Sequence, residues 1–120
     1  MCSDTRGPRV DARGPTLDCG LLRRWSKSRK ARYLWISYHD YAGLARAKAV
    51  GPDRLDDALL HGVGWAKANW DLAITDHQVP KPAFAADSGD FRLVPDAATI
   101  RPLPHRAGAA LAYGWMTTQP

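Results

Sequence analysis

The chain has 120 residues, of which 45% are hydrophobic and 24% are charged. A chain of this size and composition forms one ordinary domain with a packed core, which excludes wholesale disorder. Its net charge of +5 is uneven: residues 1–32 carry nine Lys and Arg against three Asp, and residues 33–120 carry eight against nine. We therefore predict a basic, flexible arm over residues 1–32 and a single globular domain over residues 33–120.

Other features of the sequence set the class of protein. Cys2 and Cys19 form no CxxC pair, so neither a disulfide framework nor a thiolate zinc site is indicated. No apolar run approaches the roughly 18 residues of a membrane span, and charged residues interrupt the N-terminus where a signal peptide needs an apolar core. We expect a cytoplasmic protein with no membrane partner, no metal site and no cofactor.

The first predicted element of the domain is a strand over residues 33–38, which are aromatic and β-branched. Ser37 then resembles a helix N-cap, and Gly51 is a suitable stop, so we predict a short helix between them, to about Val50. A single helix over residues 29–50 is the competing interpretation, because several apolar residues there also fit a helical stripe.

A helix over residues 52–74 is the element that the sequence predicts most strongly. Pro52 suits the first helical position, and Asp53 suits the positive end of a helix. Apolar residues then recur at spacings of three and four, at Leu55, Leu59, Val63, Ala66, Trp70 and Ala73. With only Gly51 between them, the two helices should pack as a hairpin or an angled corner.

The second half of the domain is rich in proline, which excludes long helices. Residues 87–90 have turn composition and predict a hairpin between residues 83–85 and 91–94. Further short strands are expected over residues 99–103 and 111–116. The predicted fold is therefore α+β, with a helical hairpin or corner packed on a small antiparallel sheet.

The strongest functional signal is the basic segment that precedes the first strand. Lys and Arg at this density neutralise phosphates, and an aromatic side chain among them can stack on bases. We predict a non-enzymatic nucleic-acid-binding protein. Its predicted partner is nucleic acid, with RNA favoured, or a larger protein assembly. The predicted contact residues are Arg23, Arg24, Trp25, Lys27, Arg29, Lys30 and Arg32. The alternative is a solvated terminus, or one that folds back on the domain's aspartates.

One pair of residues supports an enzymatic alternative. Arg54 and His61 lie two helical turns apart on one predicted face, with Asp57 between them. An Arg and a His at this spacing are similar to the signature of HEPN ribonucleases. The resemblance, which covers eight residues, implies charge stabilisation by Arg54 and proton transfer by His61. The chain departs from that signature at Leu55, where the family usually has a polar residue, and the proline-rich half differs from an all-helical bundle.

The remaining candidates are weaker. His39, His77 and His105 have no recognisable ligand spacing, so surface or capping roles are expected for them. Trp65 and Trp115 could lie on the surface as contact anchors, although partly buried core positions are more common in a small domain. Exposed tryptophans would favour a second alternative function, a protein–protein interaction subunit or adaptor of a larger complex.

Overall fold

The computed structural model describes residues 10–11, 14–15, 27 and 31–118. Eight strands and one α-helix are found in these residues. The strands are β1 (Val10–Asp11), β2 (Gly14–Pro15), β3 (Tyr33–His39), β4 (Ala45–Val50), β5 (Val63–Ala66), β6 (Asp90–Pro95), β7 (Arg101–Pro102) and β8 (Ala109–Thr117). The helix, α1, is Leu55–His61, and short 3-10 turns occur at Pro52–Arg54, Lys67–Asp71 and Ala97–Thr99.

The main sheet is mixed and has six strands, in the order β4-β3-β8-β6-β5 with β7 also paired to β8. The central pair, β3 and β8, is parallel, and each of the other pairs is antiparallel. β8 is long enough to pair with β3 and β7 through its first half and with β6 through its second half. A separate two-stranded sheet joins β1 and β2.

The sheet is curled, so that its two outermost strands approach each other. Lys48 of β4 donates a hydrogen bond from Nζ to the backbone carbonyl of Gly64 in β5. The same ammonium group lies 5.3 Å from the centre of the Trp65 ring, where the negative face of the indole attracts it. A single flexible side chain thus spans the gap between the two edges.

The hydrophobic core lies on the concave face of this sheet. Leu34 and Ile36 of β3 and Leu93 of β6 are fully buried there. Helix α1 covers the face with Leu55 and Ala58, each 2% exposed. Gly114 permits the close packing at the centre, because a Cβ atom there would lie 2.6 Å from Leu93 and 2.9 Å from Ile36.

The prediction of an α+β domain is confirmed at that coarse level, and the strand predicted over residues 33–38 is confirmed as β3. The helix predicted to about Val50 is wrong, and so is the longer helix over residues 29–50, because residues 45–50 form β4. Arg46, Lys48 and Val50 point to one face of β4, and alanines point to the other. Helix-favouring alanines at alternate positions thus fit a strand once β3 is available for pairing.

The helix predicted over residues 52–74 is wrong beyond His61. Gly62 has a φ of +66°, a conformation that glycine adopts freely and that ends the helix. The next residues pair with β6 as strand β5. The helical spacing of the apolar residues therefore continued by coincidence through a strand and a 3-10 turn, and no helical hairpin or corner forms.

The second half of the domain matches the prediction in part. The strands expected over residues 99–103 and 111–116 are present as β7 and β8, and residues 90–95 form β6. β6 pairs with β5 and β8 instead of forming a hairpin with residues 83–85, and the sheet is mixed where an antiparallel one was predicted. No helix among the described residues is long and apolar enough to cross a membrane.

Candidate functional site

The β3–β4 hairpin carries the most unusual group of side chains in the described residues. Asp40 begins its turn, and the Asp40 side chain accepts a hydrogen bond of 2.9 Å from the backbone N–H of Leu44. Gly43 has a φ of +79°, which closes the turn in a conformation that a side chain would disfavour. The turn therefore holds the Asp40 carboxylate in one position, with the side chain fully buried.

A single guanidinium group links this carboxylate to a second segment. Arg46 of β4 donates from Nε to Asp40 Oδ2 at 2.7 Å and lies with Nη1 2.6 Å from Asp76 Oδ1. The Arg46 side chain is 18% exposed, and that of Asp76 is 69% exposed. Arg46 thus ties the hairpin to the loop that contains Asp76.

The balance of forces keeps this pair charged. Burial would raise the pKa of Asp40, but the hydrogen bonds from Arg46 and from the Leu44 N–H outweigh it and hold that pKa below its usual value. Hydrogen bonds from Asp40 and then Asp76 raise the pKa of Arg46. A buried charge is tolerated only when it is paired and hydrogen-bonded in this way.

Aromatic rings pack directly beside the ion pair. Tyr38, opposite Arg46 in the hairpin register, stacks on Trp70 with ring centres 5.3 Å apart. The Trp65 ring meets Tyr38 edge-on at 4.9 Å. Tyr41, on the hairpin turn, packs edge-on against Trp70 at 5.6 Å. The rings place apolar material on the side of the hairpin that carries the ion pair, which strengthens its electrostatic attraction.

We define the hairpin cluster as Tyr38, Asp40, Arg46, Trp65 and Asp76. Tyr38 Oη, Arg46 Nη2 and Trp65 Nε1 are buried and form no hydrogen bond of ordinary geometry among the described residues, although the Trp65 side chain lies close enough to the Tyr38 hydroxyl to oppose the rise in its pKa. Large apolar side chains are exposed on the two segments that Arg46 joins. We define them as the apolar rim: Tyr41, Leu44, Ile74 and Val79. Exposed apolar side chains grouped in this way are typical of a surface that a partner covers.

The other predicted site residues lie elsewhere. Arg23, Arg24, Trp25, Arg29 and Lys30 fall outside the described residues. Lys27 and Arg32 are described, and both are exposed. The flexibility of the predicted arm stays a prediction, and its boundary at residue 32 also stays one.

Arg54, Asp57 and His61 do come together on the solvent side of α1. His61 Nδ1 is 3.0 Å from one Asp57 oxygen, and Arg54 Nη2 is 3.4 Å from the other. The hydrogen bond to His61, and then that to Arg54, lowers the pKa of Asp57. These side chains are more than half exposed, so solvent screens the interactions.

The histidines and tryptophans are also placed. The His39 ring stacks on Tyr113, and the His77 ring bonds the backbone carbonyl of Thr75. Trp115 is 60% exposed, whereas Trp65 is 6% exposed and belongs to the core. In residues 31–118 no three His, Cys or acidic side chains form a group that could hold a metal ion.

Comparison with known families decides what kind of domain this is. A family model described as glutamine synthetase N-terminal domain matches residues 21–119. The chain belongs to this family. A search of the curated proteins finds no match for this glutamine synthetase N-terminal domain.

Solved structures share its fold. A GmaS/ADP complex, in conformation 1, is 20% identical to this chain with a TM-score of 0.64. The match covers 84% of this chain and 20% of the GmaS chain. GmaS without ligand is 22% identical with a TM-score of 0.59, and the match covers 82% of this chain and 20% of the GmaS chain. A novel glutamine synthase homolog is 26% identical with a TM-score of 0.61, and the match covers 78% of this chain and 23% of the homolog's chain. This glutamine synthetase N-terminal domain thus spans about a fifth of the length of these proteins.

The function predicted from the sequence is wrong. The chain belongs to the glutamine synthetase N-terminal domain family, which points to a fold related to a metabolic enzyme and not to a nucleic-acid-binding protein or a HEPN-like ribonuclease. The basic segment was over-interpreted, because a high density of Lys and Arg indicates only a preference for negative partners in general. The Arg54 and His61 spacing was too short a signature to identify a family.

Sequence reasoning also missed the hairpin cluster. Asp40 was placed inside a helix, so its turn with Gly43 was not recognised. A usable signal was present: an Asp directly after a buried strand, followed by Gly and then by alternating Arg46 and Lys48, is typical of a hairpin.

Proposed function

We propose that this chain acts as the N-terminal domain of a glutamine synthetase family enzyme and docks on the catalytic region through the hairpin cluster. The family match over residues 21–119 is the observation that carries the proposal. The chain accounts for about a fifth of the solved proteins of similar fold, so a catalytic region would supply the rest. That region would lie on the same polypeptide or on a separate one.

The chemistry of the enzyme follows from the name of the family. Glutamine is the γ-amide of glutamate, and an amine attacks a carboxylate only after the carboxylate is activated. Cleavage of ATP to ADP and phosphate can provide that activation, and GmaS, a protein of similar fold, has been solved in complex with ADP. The proposed activity is therefore ATP-dependent joining of ammonia or another amine to glutamate.

The hairpin cluster suits a docking role because its ion pairs fix the turn and because exposed apolar side chains lie on the two segments that Arg46 joins. The Asp40–Arg46 pair fixes the turn, and Asp76 ties the neighbouring loop to it. Tyr41 is 79% exposed and Ile74 is 70% exposed, so burying them would add favourable hydrophobic energy at about 25 cal/mol per Å². Interfaces commonly have such an apolar contact around a few buried polar anchors.

The proposal is tested on material from the protein's own cells. The protein is tagged at its N-terminus, so that any segment that follows residue 120 is retained, and mass spectrometry identifies what the chain is joined to or bound to. The complex is then assayed for ADP release from ATP with glutamate and with ammonium or methylamine. We expect a glutamine synthetase catalytic region and ADP release that needs both glutamate and amine.

Two variants connect the activity to the hairpin. Arg46→Gln should lower the yield of the complex, whereas Arg54→Gln, the same change at an exposed pair, should not. Isolation of the chain without any catalytic region, or of a complex that releases no ADP, would contradict the proposed function.

A further inference from the structure

A cleft of about 320 Å³ lies where the two outer strands of the curled sheet approach each other. It is formed by the end of β4 at Ala49 and Val50, by the start of α1, and by residues 62–64, where β5 begins. The six residues of β4, about 20 Å of extended chain, separate the cleft from the hairpin turn. The cleft therefore lies at the opposite end of β4 from the turn that we propose for docking.

Two guanidinium groups from different elements line this cleft. Arg54 belongs to the 3-10 turn before α1, and Arg92 belongs to β6. The Arg54 side chain is 72% exposed and Arg92 is half-buried, so a solute can reach both. Two cations that face one open cleft favour a ligand that carries negative charge.

The carboxylates near the cleft leave most of these donors unused. Asp57 also lines the cleft, but its two oxygens already contact Arg54 and His61. Asp90, two residues before Arg92, forms no ion pair with it in the described part of the chain. Each guanidinium group has five N–H donors, and only one contact, of 3.4 Å to Asp57, uses them among these residues. The cleft thus has an excess of strong, accessible donors.

Glycine keeps the cleft open beside Arg92. Gly64 lies opposite Arg92 in the β5–β6 register. A Cβ atom on Gly64 would lie 3.8 Å from Arg92 Nη1 and 2.9 Å from Asp90 Oδ2, so a side chain there would occupy the space next to the guanidinium group. The absence of a side chain at Gly64 lets a ligand approach the backbone and Arg92 together.

We propose that this cleft binds an oxyanion, the carboxylate or phosphate group of a small metabolite, between the guanidinium groups of Arg54 and Arg92. Guanidinium groups bind carboxylate and phosphate through paired, charge-assisted hydrogen bonds, which neutral ligands and cations cannot form. The inference goes beyond the proposed function, because it gives the domain a ligand of its own and does not depend on the catalytic region.

The test is a titration of the 120-residue chain, without any catalytic region, with inorganic phosphate and separately with glutamate. Ionic strength is held constant, and binding is followed by the NMR shifts of the Gly62 and Gly64 amides. Because solvent screens contacts in an open cleft, we expect saturation by at least one anion with a Kd on the order of 1 mM. Saturation by phosphate or by glutamate identifies which group supplies the oxyanion.

Arg92→Gln and Arg54→Gln each remove one guanidinium group, so each should weaken binding about tenfold. Arg106→Gln is the matched control, because it removes the same charge from the turn between β7 and β8, where Arg106 lies over the Trp35 ring. It should leave the affinity unchanged. Equal weakening by all three substitutions would overturn the inference, since net charge alone would then attract the anion. Absence of saturation by either anion would also overturn it, and the proposed function would stand in both cases.

Discussion

Replacing Arg46 with glutamine removes the cation that pairs with the buried Asp40 carboxylate. The Asp40 side chain is fully buried, and Arg46 Nε lies 2.7 Å from it. Breaking a buried pair from one side costs about 3–5 kcal/mol, because an uncompensated charge remains. Here Leu44 still donates to the carboxylate, and the Arg46 side chain retains 18% exposure. We therefore expect a loss of about 2–3 kcal/mol in the free energy of unfolding.

The expected loss is large enough to measure by thermal and urea unfolding. In a domain of this size each kcal/mol shifts the unfolding midpoint by about 4–8 °C, so the midpoint should fall by about 10–20 °C. Adding Asp40→Asn to Arg46→Gln should recover part of the loss, because the stranded charge is then removed.

The matched control is Arg54→Gln. Arg54 also contacts an aspartate, at 3.4 Å, but both side chains are more than half exposed. Such a pair contributes little to stability, because solvent screens it. Equal destabilisation by the two substitutions, or no measurable loss in Arg46→Gln, would refute the view that burial makes the Asp40–Arg46 pair important.

Three further predictions concern the pH dependence, the turn and the core. The pKa of Asp40 is held below its usual value, so the ionised carboxylate stabilises the fold above about pH 3.9, and this contribution is lost as the pH falls through the lowered pKa. Urea unfolding at a series of acid pH values should therefore show a smaller loss of stability in Asp40→Asn than in the wild type. Gly43→Ala should destabilise by about 1 kcal/mol in denaturant titrations, because the φ of +79° opposes a side chain although no atom lies within 4 Å of the added Cβ; no change would mean that the turn relaxes freely. Leu93→Ala should cost about 2–5 kcal/mol, since Leu93 is completely buried, and a loss below about 1 kcal/mol would contradict its place in the core.

Local composition was enough to predict some of the strands. Residues 33–38 are aromatic and β-branched, which predicts the strand β3. The chain from Pro80 onward is rich in proline, which excludes long helices and predicts short strands in the second half. These elements depend little on distant contacts, which is why sequence reasoning identified them.

The helices were over-predicted because tertiary pairing overrides local preference. β4 contains three alanines, which favour helix, yet its alternate Arg46 and Lys48 side chains form contacts with Asp40 and with Gly64 that only a strand permits. β5 similarly depends on pairing with β6, a pairing in which Val63 lies opposite Leu93, 30 residues later in the chain. Pairings of this range are not visible in a single sequence.

The candidate site was missed for the same reason. Arg46 contacts Asp76 across 30 residues, and Tyr38 meets Trp65 across 27, so the hairpin cluster exists only after the sheet has curled. The predicted basic segment, in contrast, was contiguous in sequence and therefore easy to notice. Its density of charge favoured a hypothesis that the family comparison overturned.

Amide hydrogen exchange provides the most direct test of docking through the hairpin. The exchange rates of the chain alone are compared with those of the chain bound to the catalytic region. If the domain docks through the hairpin cluster, protection on binding is greatest over residues 40–46 and 72–79, the hairpin turn and the loop that Arg46 joins to it. Protection confined to α1 or to the second half of β8, with these two segments unchanged, would contradict it.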